Sequence, residues 1–292
     1  MKKYFLIFII LLCSSIVLSQ SIEDLVSNYS DENAYGYLEP LSEVFSADLN
    51  SGWFRDAYIN NMKFQLYFGI VTTTGLIKNS QKTFEASSPY GGTVEVPTIF
   101  GSNEPIQVQR PNGLAENYPG GGSMKILPLA VPQLSIGGLY GTEVSFRYFV
   151  TDLGEDVGQM NLFGWGLRHS VSQYFENLPV DIAVGYYNLS YKLGDYVDSR
   201  LNLITTQADY SVGILDFYGG LGFEMNKMDI EYTPNEENTP VTHNYENKPF
   251  RFIAGVNLNL GVFKLHGDYN LSSSSVFSLG MGLGFGTKKV KD

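Results

Sequence analysis

Few residues in this chain are equipped for chemistry, and their spacing limits what they can do. His169-Ser170 sets a base beside a nucleophile, and a serine needs a base within hydrogen-bond reach to be activated. Neighbours on a strand point to opposite faces, so the pair reads as two polar side chains near a strand end, and no enzyme activity is expected. Gly280, Gly282, Gly284 and Gly286 recur at every second residue, which is one face of a strand and not a phosphate-wrapping loop. Neither a nucleophile elbow nor a paired-histidine metal motif occurs. Asp152, Glu155, Asp156, Asp195, Asp198, Glu236, Glu237 and Glu246 fall in polar stretches without the ligand spacing of a calcium loop. They read as a hydrated acidic surface, with His243 as a solvated side chain among them. No metal site and no cofactor is expected.

A second set of polar residues stands inside otherwise apolar alternation: Arg147, Arg168, Asp216, Lys264, His266 and Asp268. Turned toward lipid, each basic one would cost a few kcal/mol. They are therefore expected to face an enclosed lumen, where they are the candidate solute-binding residues. Mixed charges of this kind line an aqueous path or form a salt-bridged interior, and a ring of ten to twelve strands favours a narrow or plugged lumen.

The elements that must position them are strands. From Phe277 to Phe285 every second residue is large and apolar, while Ser278, Gly280, Gly282 and Gly284 fill the other face. Phe64, Leu66, Phe68 and Ile70 alternate with Lys63, Gln65, Tyr67 and Gly69. Phe250 to Leu258 alternates with Arg251, Gly255, Asn257 and Asn259, and Phe263 to Leu271 with Lys264, His266, Asp268 and Asn270. By this parity Leu283→Arg is expected to block assembly and Gly282→Ser to be tolerated. Tight turns near Tyr140-Gly141, Glu176 to Pro179, Val212-Gly213 and Leu260-Gly261 alternate with polar loops at Thr151 to Gln159, Gly194 to Arg200 and Thr233 to Lys248. The link Ser272 to Ser275 is short. Short turns at one end and longer loops at the other describe an antiparallel transmembrane β-barrel, of about ten to twelve strands. Between Gly75 and Gln133 glycines and prolines interrupt the pattern, so this region is a long external excursion or adds hairpins, giving up to fourteen strands. Ahead of the barrel, Pro40, Leu41, Val44, Phe45 and Leu49 have helical spacing with Gly52 as a stop, which predicts a short helix starting at Pro40.

Composition agrees. Aromatic residues make up 14% of the chain and charged residues only 17%, with 31 Gly, a mixture suited to strands with one face in lipid. Residues 1–19 have the layout of a secretory signal: Lys2 and Lys3, an apolar run from Tyr4 to Leu12, then small and polar residues. That signal contains Cys13, the single cysteine, so the mature chain has no thiol or disulfide. Loss of Lys2 and Lys3 with the signal takes the formal charge from -11 to -13, which argues against nucleic acid as a partner. The division expected is signal 1–19, N-terminal helical segment 20–62, barrel 63–287 and tail 288–292.

Pro97-Thr98-Ile99-Phe100-Gly101, the run from Leu127-Pro128 to Pro132-Gln133-Leu134, Glu143 to Tyr148 with Arg147, and Gly166 to Ser170 with Arg168 together resemble a family of exported outer-membrane β-barrel proteins of unknown function. More distantly, a helical segment leading into a barrel is similar to the long-chain fatty acid transporter superfamily. The first resemblance implies fold and a location in the outer membrane of a Gram-negative bacterium. The second implies an N-terminal plug and passage of a solute, whereas the residues of the helix alone equally allow a cap or a helix resting on the barrel rim. The function expected is a barrel in outer-membrane lipid that binds or passes a small, amphipathic solute. The alternative is a non-transporting barrel that anchors a surface or secretion assembly, its protein partner left open.

Overall fold

The computed structural model describes residues 26, 29–109, 113, 115–154, 158–233 and 239–286. The expected signal 1–19, the tail 288–292 and the carboxylates Glu155, Asp156, Glu236 and Glu237 lie outside them.

Alternating sequence becomes a closed antiparallel ring of ten strands: β1 (Gln65–Leu76), β6 (Ile126–Leu139), β7 (Thr142–Asp152), β8 (Gln159–Ser170), β9 (Asp181–Leu193), β10 (Val197–Val212), β11 (Leu215–Tyr232), β13 (Phe250–Leu260), β14 (Phe263–Leu271) and β15 (Ser275–Phe285). Pairing of β1 with β15, Phe68 opposite Leu283, closes the ring. An eleventh strand, β12 (Val241–Asn247), continues β13 in register along β11, with Phe223 opposite Phe250 and Asn226 opposite Asn247. The two are split at Lys248-Pro249, where proline cannot donate to the ladder. Half of the presumed loop Thr233 to Lys248 is therefore strand, and the β11–β12 hairpin projects beyond the ring.

The strict alternation of long and short links does not hold. At the turn end, 171–180 is a longer link containing a 3-10 turn, Ser172–Tyr174, whereas at the loop end 194–196 and 272–274 are tight. Between β1 and β6 the chain makes the long excursion, 77–125, carrying two hairpins that stay out of the ring: β2 (Thr83–Ser87) with β3 (Thr93–Pro97), and β4 (Ile106–Gln109) with β5 (Ala115–Tyr118).

One stretch of wall is unpaired. Strand β6 keeps its ladder with β1 from Ile126 to Gly137, but pairs with β7 only from Gln133. Ile126 to Pro132 thus faces Tyr148 to Asp152 with no ladder between them. Pro128 and Pro132 share one parity along β6, so their missing N–H groups fall on one edge. The ladder to β1 runs through both, which puts that edge toward β7.

The helix α1 (Asp31–Leu49) is longer than its sequence signal, and Pro40 lies in its interior instead of its first turn. An interior proline removes the helical donor to the Gly36 carbonyl, and on either side of it the helix is held from outside: the Ile99 amide bonds the Tyr37 carbonyl and the Tyr245 hydroxyl the Tyr35 carbonyl. Gly52, at φ 68°, redirects the chain after the helix, a conformation that costs glycine little.

Parity sorts the wall as the pattern requires. Phe68, Leu221, Phe252, Leu279 and Met281 are exposed on the outside. The inner face of β15 looks bare in sequence but is not spare room: a Cβ at Gly282 would lie 2.5 Å from the Phe68 carbonyl and 2.8 Å from the Tyr67 ring. Tolerance of Gly282→Ser is thereby overturned. This substitution should cost about 1–3 kcal/mol by overpacking, seen as a lower heat-unfolding midpoint of the folded barrel than the native protein's.

Candidate functional site

The lumen is filled by the protein's own N-terminal segment. Every residue from Val44 to Ala57 is buried, whereas a helix or extended chain resting on a rim would keep one exposed face. The last turns of α1 enter from the long-loop end, where a Cβ at Gly75 would lie 2.7 Å from Val44. Residues 50–60 then descend toward the turn end. Asn50 donates to Glu224 and Asn226 at 2.9 Å each, Gln133 donates to the Trp53 carbonyl at 3.0 Å, and the Ala57 amide donates to Asp209 at 2.8 Å. Aromatic side chains of this plug settle over wall glycines: Trp53 against Gly164 and stacked on Tyr187, Phe54 against Gly220 and edge-on to Tyr218.

Three wall arginines hold the plug by its main chain. Arg147 on β7 donates to the carbonyls of Leu49 (3.2 Å) and Ser51 (2.9 Å). Arg168 on β8 donates to the Asp56 carbonyl and pairs with Glu143 at 2.7 Å. Arg251 on β13 donates to the Ala47 carbonyl and the Ser51 hydroxyl at 2.8 Å each, and pairs with Glu224 at 2.7 Å. A carbonyl is the natural acceptor for the guanidinium fork where an extended chain passes through a polar interior.

All six sequence candidates point into this interior, at two levels. Arg147 and Arg168 grip the plug. Asp216 and Lys264 sit near the turn end, joined through Asn259, which donates to Asp216 and accepts from Lys264 at 2.7 Å. Above them His266 lies against Tyr67, and Asp268 accepts from the Tyr218 hydroxyl at 2.8 Å. Arg251, Glu143 and Glu224 were not among the candidates, although strand parity alone places each inward. The plug residues Trp53, Arg55 and Asp56 had no comparable signal, because they follow no period.

The remaining chemistry-bearing residues lie elsewhere. His169 points outward and contacts Thr142 and Tyr174, while Ser170 faces Ser172 on the other side. Glu246 lies in β12 and Asp198 in β10, the latter paired with Lys192 at 2.9 Å. His243 is buried, not solvated. It clasps α1 to β12, with Tyr35 edge-on at 5.8 Å and the Tyr232 hydroxyl 3.2 Å from its Nε2, beside Tyr245.

At the long-loop mouth, Leu41 and Phe45 of α1, Ile99, Phe100 and Met124 of the excursion, and Leu127 of β6 wall an apolar cleft of about 60 Å³. Leu127 belongs to the unpaired stretch of β6, so cleft and open seam adjoin.

The chain matches the model of a family of unknown function (DUF6588) over residues 1–285 and belongs to that family. No curated protein matches it. It is similar to the translocator domain of the autotransporter NalP from Neisseria meningitidis, at 10% identity and TM-score 0.35, over 90% of this chain and 100% of that one. It is similar to the toluene transporter TbuX of Ralstonia pickettii, at 8% identity and TM-score 0.31, over 85% and 98%. A third likeness is to Ail, the attachment invasion locus protein of Yersinia pestis, at 12% identity and TM-score 0.28, over 77% and 100%.

The buried Arg251–Glu224 pair should be costly to break from one side. Glu224→Gln or Arg251→Met alone is expected to lose about 3–5 kcal/mol, because the remaining group is stranded in the interior. The double variant should lose less than the sum of the two, as read from a double-mutant cycle in urea.

Burial holds the His243 imidazole below its ordinary pKa of 6.5, with Asp31 acting in the opposite direction. The folded clasp thus favours the neutral ring, so its contribution is complete above 6.5 and is lost as pH falls through the lowered value. Hydrogen exchange over 31–39 and 241–247, corrected for intrinsic rates, should accelerate between pH 7 and pH 5. In His243→Gln that acceleration should vanish.

Proposed function

We propose that this protein is an outer-membrane β-barrel that passes a small amphipathic solute sideways through its wall and not along its axis. The observation that carries this reading is the juxtaposition of a filled lumen with an unzipped seam. Residues 50–60 occupy the axis, while the only stretch of the ring's β6–β7 boundary without a ladder, Ile126 to Pro132 against Tyr148 to Asp152, borders the apolar cleft.

The outer face supports placement in a bilayer. A continuous exposed belt that includes Phe68, Leu221, Phe252, Leu279 and Met281 exceeds what a water-facing surface carries. Tyr140, Tyr174, Phe175, Tyr210 and Phe263 are exposed around the turn end, as an aromatic girdle at a membrane interface would be. An amphipathic solute suits the chemistry of both compartments: its apolar part is of the same kind as the residues lining the cleft, which is small as it stands and would have to widen, and an exit between two strands would lead into the acyl region. A fully polar solute would gain nothing from such a path.

Strand pairing makes the reading testable. The double variant Pro128→Thr, Pro132→Thr restores both missing N–H groups and should zip the seam. The native protein, recovered in the outer-membrane fraction, should raise uptake of a fluorescent dodecyl-chain probe into cells several-fold over cells lacking it, and the zipped variant should abolish the gain. Liposome swelling with glucose should be negligible for both. Equal probe uptake with and without the native protein would remove the transport role and leave an anchoring barrel.

A further inference from the structure

We infer that the lumen wall contains a buried site for a small monovalent anion, formed by Arg147, Tyr67 and His266 at the seam between wall and plug. The inference rests on the filled lumen and is independent of whether solute passes.

Arg147 differs from the other two wall arginines. Arg168 and Arg251 each hold a carboxylate at 2.7 Å. Arg147 is equally buried, yet its hydrogen bonds go only to Gln133 (2.9 Å) and to the main-chain carbonyls of Leu49 and Ser51. Its guanidinium lies 3.9 Å over the Trp53 ring, and its Nη2 has no hydrogen-bond partner. Among the described residues no carboxylate comes within ion-pair distance of it; the buried Asp48 of the plug and Asp268 of the wall act on it only from farther off. Asp268 is engaged by Tyr218 and Asn270. Burying a guanidinium without an opposite charge in contact leaves part of its desolvation unmet.

Other unmet groups gather at the same height. Register places Gly69 opposite both Gln133 and Gly282, and Gln133 opposite Arg147. The Tyr67 hydroxyl leans over Gly69, where a Cβ would collide with it, and has no partner. The His266 ring lies against Gly280, 6.2 Å from the Tyr67 ring, with neither nitrogen partnered. Trp53 Nε1, beneath the Arg147 guanidinium, is a further unpartnered donor. Arg55, 4.3 Å over the Tyr67 ring, adds positive charge, offset in part by Asp56 and Glu143 at 3.6 and 3.7 Å.

Apart from one histidine nitrogen and the second role of the tyrosine oxygen, these are all donors. A single water can donate to those two acceptors but accepts only about two hydrogen bonds, so it leaves the remaining donors unmet. An anion accepts from every side and places a negative charge in contact with Arg147. Tyr67 and His266 already fill the space over Gly69 and Gly280, so only a small, monovalent anion suits this crowded interior. Bound there, it would tie β1, β7 and β14 to the plug.

Bromide is the probe. Full-length protein crystallised from sodium bromide should show an anomalous peak within hydrogen-bond reach of Arg147 Nη2 and of the Tyr67 hydroxyl or His266. In solution, bromide replacing gluconate at constant ionic strength should raise the unfolding midpoint saturably. Tyr67→Phe should weaken the apparent affinity about tenfold, the value of one hydrogen bond to a charged group. Arg147→Gln should abolish the effect. If Arg147→Gln does not fold, the crystallographic peak and Tyr67→Phe decide. Ordered water alone at this position, or an unchanged bromide response in Tyr67→Phe, overturns the site. Either result leaves the seam experiment unaffected.

Discussion

Everything in this structure depends on the requirement that polar groups pointing into a closed ring find partners inside it. Alternation forces half of every strand inward, and here that half carries Arg147, Arg168, Arg251, Glu143, Glu224 and Asp268, all buried. Ten strands do not enclose enough water to solvate such a set once a chain runs through them. The plug meets the requirement by presenting its own backbone. Residues 47–56 offer carbonyls to three guanidinium groups, and Asn50 offers its amide to Glu224. Wall and plug are thus parts of one hydrogen-bond system, and neither is satisfied alone.

The inner glycines belong to the same arrangement. A wall lined with side chains at every inward position would leave no room for Trp53, Phe54, Tyr67 or the His266 ring. Gly164, Gly220, Gly69 and Gly280 are the places where those rings lie. A face that looks empty along one strand is therefore the most crowded part of the interior, since the space is filled from another element.

The seam between β6 and β7 is the counterpart on the outside. Where the ladder to β7 is missing, β6 carries two prolines, and the excursion and α1 bring Ile99, Phe100, Leu41 and Phe45 over the adjoining mouth. The filled axis and the unpaired stretch of wall thus lie at the same mouth of the barrel. His243 and its tyrosines fasten α1 to the projecting β11–β12 hairpin, so the helix that roofs the cleft is itself clamped from outside.

Much of the ring was legible in the residues because parity is a local property. The outward positions of β1, β13, β14 and β15 follow from alternation, and so does the inward direction of Arg147, Arg168, Asp216, Lys264, His266 and Asp268. Arg251 and Glu224 were equally legible by the same rule. The start of α1 was not, because an interior proline looks like a first-turn proline until the contacts that hold the preceding turn, from Ile99 and Tyr245, are seen. Nor was β12, whose polar composition imitates a loop until β11 is seen to pair with it. By itself the sequence determined the faces of the clearly alternating strands and the antiparallel barrel class, since period and turn chemistry are written in neighbouring residues. Only the tertiary structure decided that the N-terminal segment fills the lumen, that Gly282 is packed against Tyr67 and Phe68, and that β6 and β7 part at two prolines. Each of these joins residues far apart along the chain, and their contacts exist only when the ring closes.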